Sequence, residues 1–240
     1  MIVLGIETAT TQVGCALGGV EGPLASFHAA RGRRHGEILA PAIQFVASQA
    51  EIDLREISVV AVDIGPGLFT GLRVGLATAK AMAQALRVPM IGLTSLDLLA
   101  HPVRTSSKLI ASVVDARRGE VFWATYRHVP GGLQRLSDYS IGPPGDLASD
   151  LMATGEECLA VGDGALRYAD VFAEVSHVEL GSAGLAYPSA AALVELAHPR
   201  AIREEFVQPW EVEPLYLRKA DAEANFQQRV RTGTGSGSGG

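Results

Sequence analysis

The stretch GPGLFTGLRVG, residues 65–75, follows the apolar run Ser58–Asp63 and precedes an alanine-rich segment. This order predicts a buried strand, a glycine-rich loop over Gly65–Thr70 and a helix over Gly71–Leu86, with Thr70 as its N-cap. A glycine-rich loop between a strand and a helix can bind phosphate through its N–H groups. However, no Gly-Lys-Ser/Thr follows at P-loop spacing, and Thr70 replaces the third glycine of Gly-x-Gly-x-x-Gly. The loop therefore favours a structural or interface role over phosphate binding.

Before this loop, the sequence alternates between short apolar runs and polar turns. Ile2–Glu7, Val13–Gly18 and Pro23–His28 are predicted to form an antiparallel meander of three strands. Apolar residues then recur at helical spacing from Ile38 to Ala50, which predicts a helix.

After the loop, a strand over Met90–Leu93 and a short helix capped by Ser95 are expected, and the polar segment Pro102–Lys108 is predicted to separate two lobes. The later predicted strands are Leu109–Asp115, Glu120–Arg127, Leu133–Tyr139, Cys158–Val161 and Pro214–Arg218, and the later helices are Pro144–Met152, a short one after Gly162-Asp163-Gly164, and Pro188–Ala197.

Each half follows the order β-β-β-α-β-α, which predicts two related lobes. The expected domains are residues 1–103, residues 104–231 with an end that can return to the first lobe, and a flexible tail over residues 232–240.

Composition and charge exclude several classes of protein. The chain has 240 residues, of which 48% are hydrophobic and 19% charged, and this composition excludes a disordered protein. The 20 Lys and Arg residues against 26 Asp and Glu residues give a net charge of −6. A self-sufficient nucleic-acid binder normally has a basic surplus, so any action on nucleic acid is expected through a partner or a local basic patch.

The cysteines and the apolar runs bear on location. Cys15 and Cys158 are distant and apolar in context, as expected of core thiols in a reducing compartment. The sequence has no apolar run of 18 residues and no signal peptide at its start. A cytoplasmic protein without a membrane span is therefore predicted.

The two predicted helices of the first lobe have wide apolar arcs. In Gly71–Leu86 the polar residues are only Arg73, Thr78, Lys80 and Gln84. A helix that covers a sheet in a free monomer needs one apolar stripe and a polar opposite face. The pattern predicts an exposed apolar flank that binds another protein. The alternative is that a second layer of the same chain covers it.

Catalytic motifs are weak. His35 and Glu37 lack a second histidine at helical spacing, so a metal site is not expected there. Asp115-Ala116-Arg117-Arg118 can bind an anion, although a salt-bridged hairpin is favoured. No Gly-x-Ser-x-Gly is present and neither cysteine has a nearby histidine, which excludes a nucleophilic hydrolase.

The turn Glu7-Thr8-Ala9-Thr10 follows the first strand, where sugar kinases and actin-like and Hsp70-like ATPases place an Asp-x-Gly-x-Thr turn. In those turns the aspartate lies near metal and water, and the glycine lets the backbone approach the phosphates. Here Glu7 replaces the aspartate and Ala9 the glycine, which argues against a competent phosphate turn.

Together these motifs resemble the TsaB (YeaZ) family. The resemblance rests on residues 6–10 (IETAT), 35–41 (HGEILAP), 65–75, 115–122 (DARRGEVF) and 214–218 (PLYLR), with Leu68 and Gly36 where the family often has serine. It implies a two-lobed, actin-like or Hsp70-like α/β fold (ASKHA, ribonuclease H-like). It also implies a subunit that is not an enzyme and has no catalytic residues, metal or cofactor.

The resemblance further implies partners and sites. TsaB-like proteins pair with the paralogue TsaD, which carries the metal and transfers threonylcarbamoyl to adenosine 37 of tRNAs that read codons starting with A. The ATPase TsaE joins the complex, the chain would contact tRNA only indirectly, and alone it would form a homodimer. The interface residues implied are Ile38, Leu39, Ala42, Ile43, Val46, Thr70, Gly71, Leu72, Arg73, Gly75, Leu76, Ala79 and Lys80, and a vestigial nucleotide site would comprise Glu7, Thr8, Gly162, Asp163 and Gly164.

The alternatives are an ASKHA-type ATP-binding enzyme or a glycoprotease-like hydrolase acting alone, and a chaperone-like ATP-binding module with Gly162-Asp163-Gly164 as its nucleotide loop.

Overall fold

The computed structural model describes residues 1–30 and 35–218 as strands and helices in two groups. The strands are β1 (Ile2–Glu7), β2 (Val13–Gly19), β3 (Gly22–Ala29), β4 (Ile57–Asp63), β5 (Met90–Leu93), β6 (Leu109–Arg117), β7 (Glu120–Val129), β8 (Gly132–Arg135), β9 (Ser140–Gly142), β10 (Cys158–Val161) and β11 (Val178–Leu180). The helices are α1 (His35–Gln49), α2 (Phe69–Leu86), α3 (Ser95–Ala100), α4 (Pro144–Thr154), α5 (Asp163–Arg167), α6 (Ala169–Ala173) and α7 (Ala190–Ile202). The predicted tail over residues 232–240 lies outside the described residues.

The strands form two sheets with the same order. The first sheet is β3-β2-β1-β4-β5, and the second is β8-β7-β6-β10-β11, with β9 also paired to β7. In each sheet the first two strands in the chain are antiparallel, and the later pairings β1–β4, β4–β5, β6–β10 and β10–β11 are parallel. The prediction of two related lobes is therefore confirmed at the level of topology.

The first sheet is covered on both faces because its strands alternate between two apolar clusters. Leu4 and Val60 pack with α1 and α2 on one face, whereas Val3 and Val59 pack with α7 on the other. Helix α7 thus returns from the second half of the chain to cover the first sheet. In the second lobe, α4, α5 and α6 cover one face of the sheet and α3 covers the other.

The cysteines confirm the core interpretation. Cys15 lies in the core of the first lobe and Cys158 in the core of the second, and both are fully buried. Burial raises the pKa of each thiol to about 12, so both remain protonated and unreactive near neutral pH.

Two helix starts differ from the predictions. Helix α2 begins at Phe69 after the extended residue Leu68, so Thr70 lies inside the helix and is not its N-cap. The N–H of Leu72 donates to the carbonyl of Leu68, which closes the first turn without a side-chain cap. Helix α3 is capped by the Thr94 hydroxyl, which accepts from the N–H of Asp97, so Ser95 is not the cap either.

Two predicted strands also differ. The strand predicted over Leu133–Tyr139 ends early, because β8 stops at Arg135 and the Ser137 hydroxyl accepts a hydrogen bond from the N–H of Thr125. Strand β9 begins only at Ser140, beyond the predicted segment, and was not predicted. Residues 214–218 form no strand, since their link to the first sheet is a single hydrogen bond from the N–H of Leu215 to the carbonyl of Ile64. Strand β11 was not predicted.

Candidate functional site

The turn after β1 is filled by the glycine-rich stretch that follows β4. The N–H of Leu68 donates to the carbonyl of Ala9 at 2.6 Å, and the Thr8 hydroxyl donates to the carbonyl of Gly71 at 2.8 Å. A Cβ at Gly71 would overlap the carbonyl oxygen of Thr8, and a Cβ at Gly75 would overlap its hydroxyl. The glycines therefore let α2 pack directly on the backbone where a phosphate group would otherwise approach.

Two carboxyl groups lie beneath this turn. Oε1 of Glu7 accepts from the N–H of Ala9 at 2.8 Å, and Asp63 accepts from the N–H of Gly65 at 2.7 Å and from the Ser95 hydroxyl at 2.8 Å. Neither carboxyl is paired with a lysine or arginine among residues 1–30 and 35–218.

Burial is the main cause that raises the pKa of both carboxyl groups. The pKa of Glu7 is well above its ordinary value, with the nearby Asp63 as a further cause, and the pKa of Asp63 rises to about 7. Both side chains are at most 1% exposed. They are therefore suited to store a proton inside the fold, but they have no access to a substrate as acid or base.

The corresponding turn of the second lobe carries arginines. Asp115 accepts from the N–H of Arg117 at 2.9 Å, and its other oxygen lies 2.8 Å from the Arg117 guanidinium and 3.5 Å from that of Arg167. Oδ1 of Asp163 accepts from the N–H of Asp115 at 3.0 Å, and burial raises the pKa of Asp163 to about 6. Arg117, Arg118 and Gly119 all have positive φ, as the tight β6–β7 hairpin requires.

The residues of the predicted vestigial nucleotide site lie in two different lobes. Glu7 and Thr8 are buried under α2, whereas Gly162, Asp163 and Gly164 begin α5 in the other lobe. A Cβ at Gly162 would overlap the carbonyl oxygen of Val113, so this glycine also serves close packing. No hydrogen bond or ion pair between described residues joins the two groups. Nor does any cluster of three His, Cys, Asp or Glu side chains in that part of the chain suit a metal ion.

Most of the predicted interface residues face the chain's own sheet. Nine of the thirteen are buried, namely Leu39, Ala42, Ile43, Val46, Gly71, Leu72, Gly75, Leu76 and Ala79. The prediction that they form an uncovered flank is wrong, because α1 and α2 turn their apolar stripes toward β1, β2 and β4. A charge at Leu76 or Ala79 would therefore test folding rather than pairing. The other four, Ile38, Thr70, Arg73 and Lys80, are half-buried or exposed.

The outer faces of the same helices carry residues that the sequence reasoning missed. Phe45 on α1 is 52% exposed and packs edge-on against Phe27 with ring centroids 6.5 Å apart. On α2, the exposed Ala77 and Ala81 continue the line of Arg73 at helical spacing. Residues four apart lie on one side of a helix, so the series 73, 77 and 81 marks the outer face, whereas the series 71, 75, 79 and 83 marks the inner face.

An aromatic pair lies at the start of α2. Phe69 is 41% exposed and Tyr216 is 44% exposed, and their ring centroids are 5.5 Å apart. The Arg73 guanidinium lies 3.7 Å from the Phe69 ring centroid and donates a long hydrogen bond, 3.4 Å, to the Tyr216 hydroxyl. We call the exposed side chains of Phe45, Phe69, Arg73, Ala77, Ala81 and Tyr216 the outer face.

His35 has a structural position. Its Nε2 lies 3.1 Å from the carbonyl oxygen of Thr10 and 3.2 Å from that of Gln12, so it tethers the first turn to the start of α1. Arg33 and Arg34, which precede His35 in the sequence, lie outside the described residues. Within the described residues, no helix is both long enough and apolar enough to cross a membrane.

Comparisons with known proteins agree with this fold. The family model for TsaD, tRNA N6-adenosine threonylcarbamoyltransferase, matches residues 25–226. TsaB of Escherichia coli, described as a tRNA threonylcarbamoyladenosine biosynthesis protein, is 27% identical over 91% of this chain and 95% of its own length. An uncharacterized protein of Mycobacterium leprae is 35% identical over 92% of this chain, which spans only 56% of that protein.

Solved structures show the same architecture. YeaZ from Pseudomonas aeruginosa aligns with a TM-score of 0.79 and 26% identity over 90% of this chain and 99% of its own. Component A of the (R)-2-hydroxyglutaryl-CoA dehydratase of Acidaminococcus fermentans aligns with a TM-score of 0.50 and 12% identity, a likeness of fold alone. The predicted two-lobed, actin-like α/β fold is confirmed. With a family model that covers most of its length and YeaZ as a structural neighbour, this chain belongs to the tRNA N6-adenosine threonylcarbamoyltransferase family, in its TsaB (YeaZ) group.

Proposed function

We propose that this chain is a non-catalytic, cytoplasmic subunit of the machinery that makes threonylcarbamoyladenosine at position 37 of tRNAs reading codons that start with A. It acts by pairing with a TsaD-type subunit through the outer faces of α1 and α2. Two relatives that support the pathway, from Escherichia coli and Bacillus subtilis, are named as threonylcarbamoyladenosine biosynthesis proteins.

The observation that carries the non-catalytic role is the closed turn after β1. A phosphate group needs free N–H groups within hydrogen-bond distance. Here Thr8, Ala9 and Thr10 are at most 1% exposed, and the chain's own Gly67 and Gly71 occupy the approach. The buried Glu7 and Asp63 likewise have no access to solvent. A nucleotide-dependent reaction at this turn would require α2 to move away from β1.

The outer face supports the pairing role. Small side chains at Ala77 and Ala81 allow another helix to approach closely, and Phe69, four residues before Arg73, offers apolar area on the same side of α2. Phe45 adds an exposed apolar side chain on α1. A subunit of the same fold has equivalent helices, so the two pairs can pack as a four-helix bundle. Without that partner, the same surface supports a two-fold homodimer.

Pairing would act on the partner through differential binding. If this chain binds the transfer-competent conformation of the TsaD-type subunit more tightly than other conformations, it shifts the population toward it. The net charge of −6 is consistent with a subunit that leaves most tRNA contacts to its partners. A TsaE-type ATPase would join this pair in the larger complex.

The first experiment is reconstitution of tRNA modification with the TsaD-type subunit of the same organism, with and without this chain. Ala81→Glu places a charge on the outer face, and Ser149→Glu places the same charge on an exposed position of α4 in the other lobe. We expect Ala81→Glu to abolish co-purification and lower modification at least tenfold, while Ser149→Glu behaves as wild type.

Two results would contradict the proposal. The first is full modification when this chain is omitted. The second is ATP hydrolysis by the purified chain alone that is lost in Glu7→Gln, which would favour the alternative of an independent ATP-binding enzyme.

A further inference from the structure

A cavity of about 750 Å³ lies between the lobes. Its walls come from the end of β5, from α3 and α7, and from β7 and β8 of the second sheet. Because α7 packs on the opposite face of the first sheet from α1 and α2, this cleft is distinct from the outer face. A volume of this size suits a small organic ligand.

The cleft is basic, although the chain as a whole is acidic. Four arginines line it, Arg104, Arg135, Arg200 and Arg203, against two carboxylates, Asp97 and Glu195. The four positive and two negative charges leave a surplus of two positive charges.

Both carboxylates already form hydrogen bonds or ion pairs with residues that line the cleft. Asp97 accepts hydrogen bonds from the Tyr126 hydroxyl at 2.8 Å and from the Tyr139 hydroxyl at 3.1 Å. Glu195 lies 2.7 Å from Nε2 of His101 and 3.7 Å from the Arg104 guanidinium. Both acids therefore shape the cleft, and neither lies within ion-pair distance of Arg135, Arg200 or Arg203.

Two of the arginines make no ion pair with a carboxylate of the described residues. Arg203 pairs with Glu205 at 2.5 Å outside the cleft, but across residues 1–30 and 35–218 no carboxylate lies within ion-pair distance of Arg135 or Arg200. The Arg135 guanidinium lies 3.9 Å from the ring centroid of Tyr139, whose hydroxyl is fixed by Asp97 and Thr94. Arg135 is therefore held in place before any ligand binds, which lowers the entropy cost of binding.

We infer that this cleft binds a small molecule that carries a phosphate group and an apolar or planar portion. A phosphate monoester has close to two negative charges near neutral pH, which suits the guanidinium groups of Arg135 and Arg200. Guanidinium groups bind phosphate through paired charge-assisted hydrogen bonds. Leu133, Leu196 and Pro199 line the same cavity and offer apolar contacts to the rest of the ligand.

The test is isothermal titration calorimetry of the full chain at low ionic strength with AMP, inorganic phosphate and adenosine. We expect AMP to bind at one saturable site, and Arg135→Gln and Arg200→Gln each to weaken it about tenfold, the usual worth of one charge-assisted hydrogen bond. Arg55→Gln is the matched control, since Arg55 is exposed and lies outside the cleft. Thermal melts of all three variants report that they remain folded.

The phosphate and adenosine arms identify the source of the affinity. Phosphate that binds as tightly as AMP would assign the site to the phosphate group alone, and tighter AMP binding would assign it to a nucleotide-sized ligand. The inference is overturned if neither AMP nor phosphate binds, if adenosine binds as tightly as AMP, or if folded Arg135→Gln and Arg200→Gln variants both bind AMP like wild type.

Discussion

In the first lobe Glu7 ends β1 and Asp63 ends β4, whereas in the second lobe Asp115 lies near the end of β6 and Asp163 follows β10. The strand order makes these two acidic pairs topologically equivalent. In both lobes a glycine after the central parallel strand packs against the backbone of the neighbouring strand or turn. Glu7 and Asp63 are closed off from solvent, and burial raises the pKa values of both carboxyl groups. The second pair lies beside the partly exposed guanidinium groups of Arg117 and Arg167.

The difference shows that one architecture can close a turn in one lobe and leave the equivalent turn of the other lobe beside partly exposed arginines. Helix α2 closes the first turn to solvent, while the opposite side of the same helix stays exposed. The second turn keeps its charges near solvent, where arginines neutralise Asp115.

The close packing of α2 on the turn after β1 is tested by Gly71→Val, for which we expect the largest effect. The new Cβ would overlap the carbonyl oxygen of Thr8, so either α2 or the turn must move. We expect a loss of about 4–5 kcal/mol in the free energy of unfolding, at the upper end for overpacking. Urea denaturation measures it, with Gly145→Ala as the control because a Cβ there meets nothing within 4 Å. Equal stability of the two variants would mean that the turn is not sealed.

The stored proton is tested by the pH dependence of stability. Burial raises the pKa of Asp63 from 3.8 to about 7 in the folded chain, so the folded state holds a proton that the unfolded chain releases above pH 4. The contribution of Asp63 is therefore present below pH 4 and is lost as the pH rises toward 7. We expect Asp63→Asn to match wild type near pH 4 and to exceed it by about 2–4 kcal/mol at pH 8.

Urea denaturation of both proteins at the two pH values gives the comparison. The difference between variant and wild type matters, because the lowered pKa values of His28 and His101 give both proteins the opposite pH trend. Parallel curves for the two proteins would show that Asp63 is ionised in the folded state.

The sequence was sufficient to predict most of the elements and the family, but not which face of each helix is buried. Periodicity predicted β1, β4 and α2 nearly to their ends, since those patterns are local. The wide apolar arc of α2 was misread because its glycines count as apolar, whereas their role is contact with Thr8, 63 residues away from Gly71. The basic cleft was also missed, because its residues are far apart in the sequence and only the folded chain brings α3, β8 and α7 together.

The arginine pair of the second lobe is tested by Arg117→Gln. Asp115 is buried, so removing one guanidinium leaves its charge less well compensated. The loss should be about 1 kcal/mol, well below that for a fully buried pair, because Arg117 is 43% exposed and Arg167 remains 3.5 Å from the carboxylate. Arg127→Gln is the control, since both Arg127 and Glu156 are about half exposed. A loss of more than about 3 kcal/mol would show that the second turn is as closed as the first.

The outer face is tested by Ala81→Glu, for which we expect the smallest effect on stability. Glutamate is a good helix former and Ala81 is exposed, so the free energy of unfolding should change by less than about 0.5 kcal/mol. That small effect is what gives the pairing experiment its meaning. A variant that unfolds like wild type but fails to pair locates the defect on the surface, whereas Gly71→Val would lose pairing only by losing the fold. If Ala81→Glu instead destabilised the isolated chain by several kcal/mol at low concentration, the outer face would already be covered from within, and α2 would have no free side left for a partner.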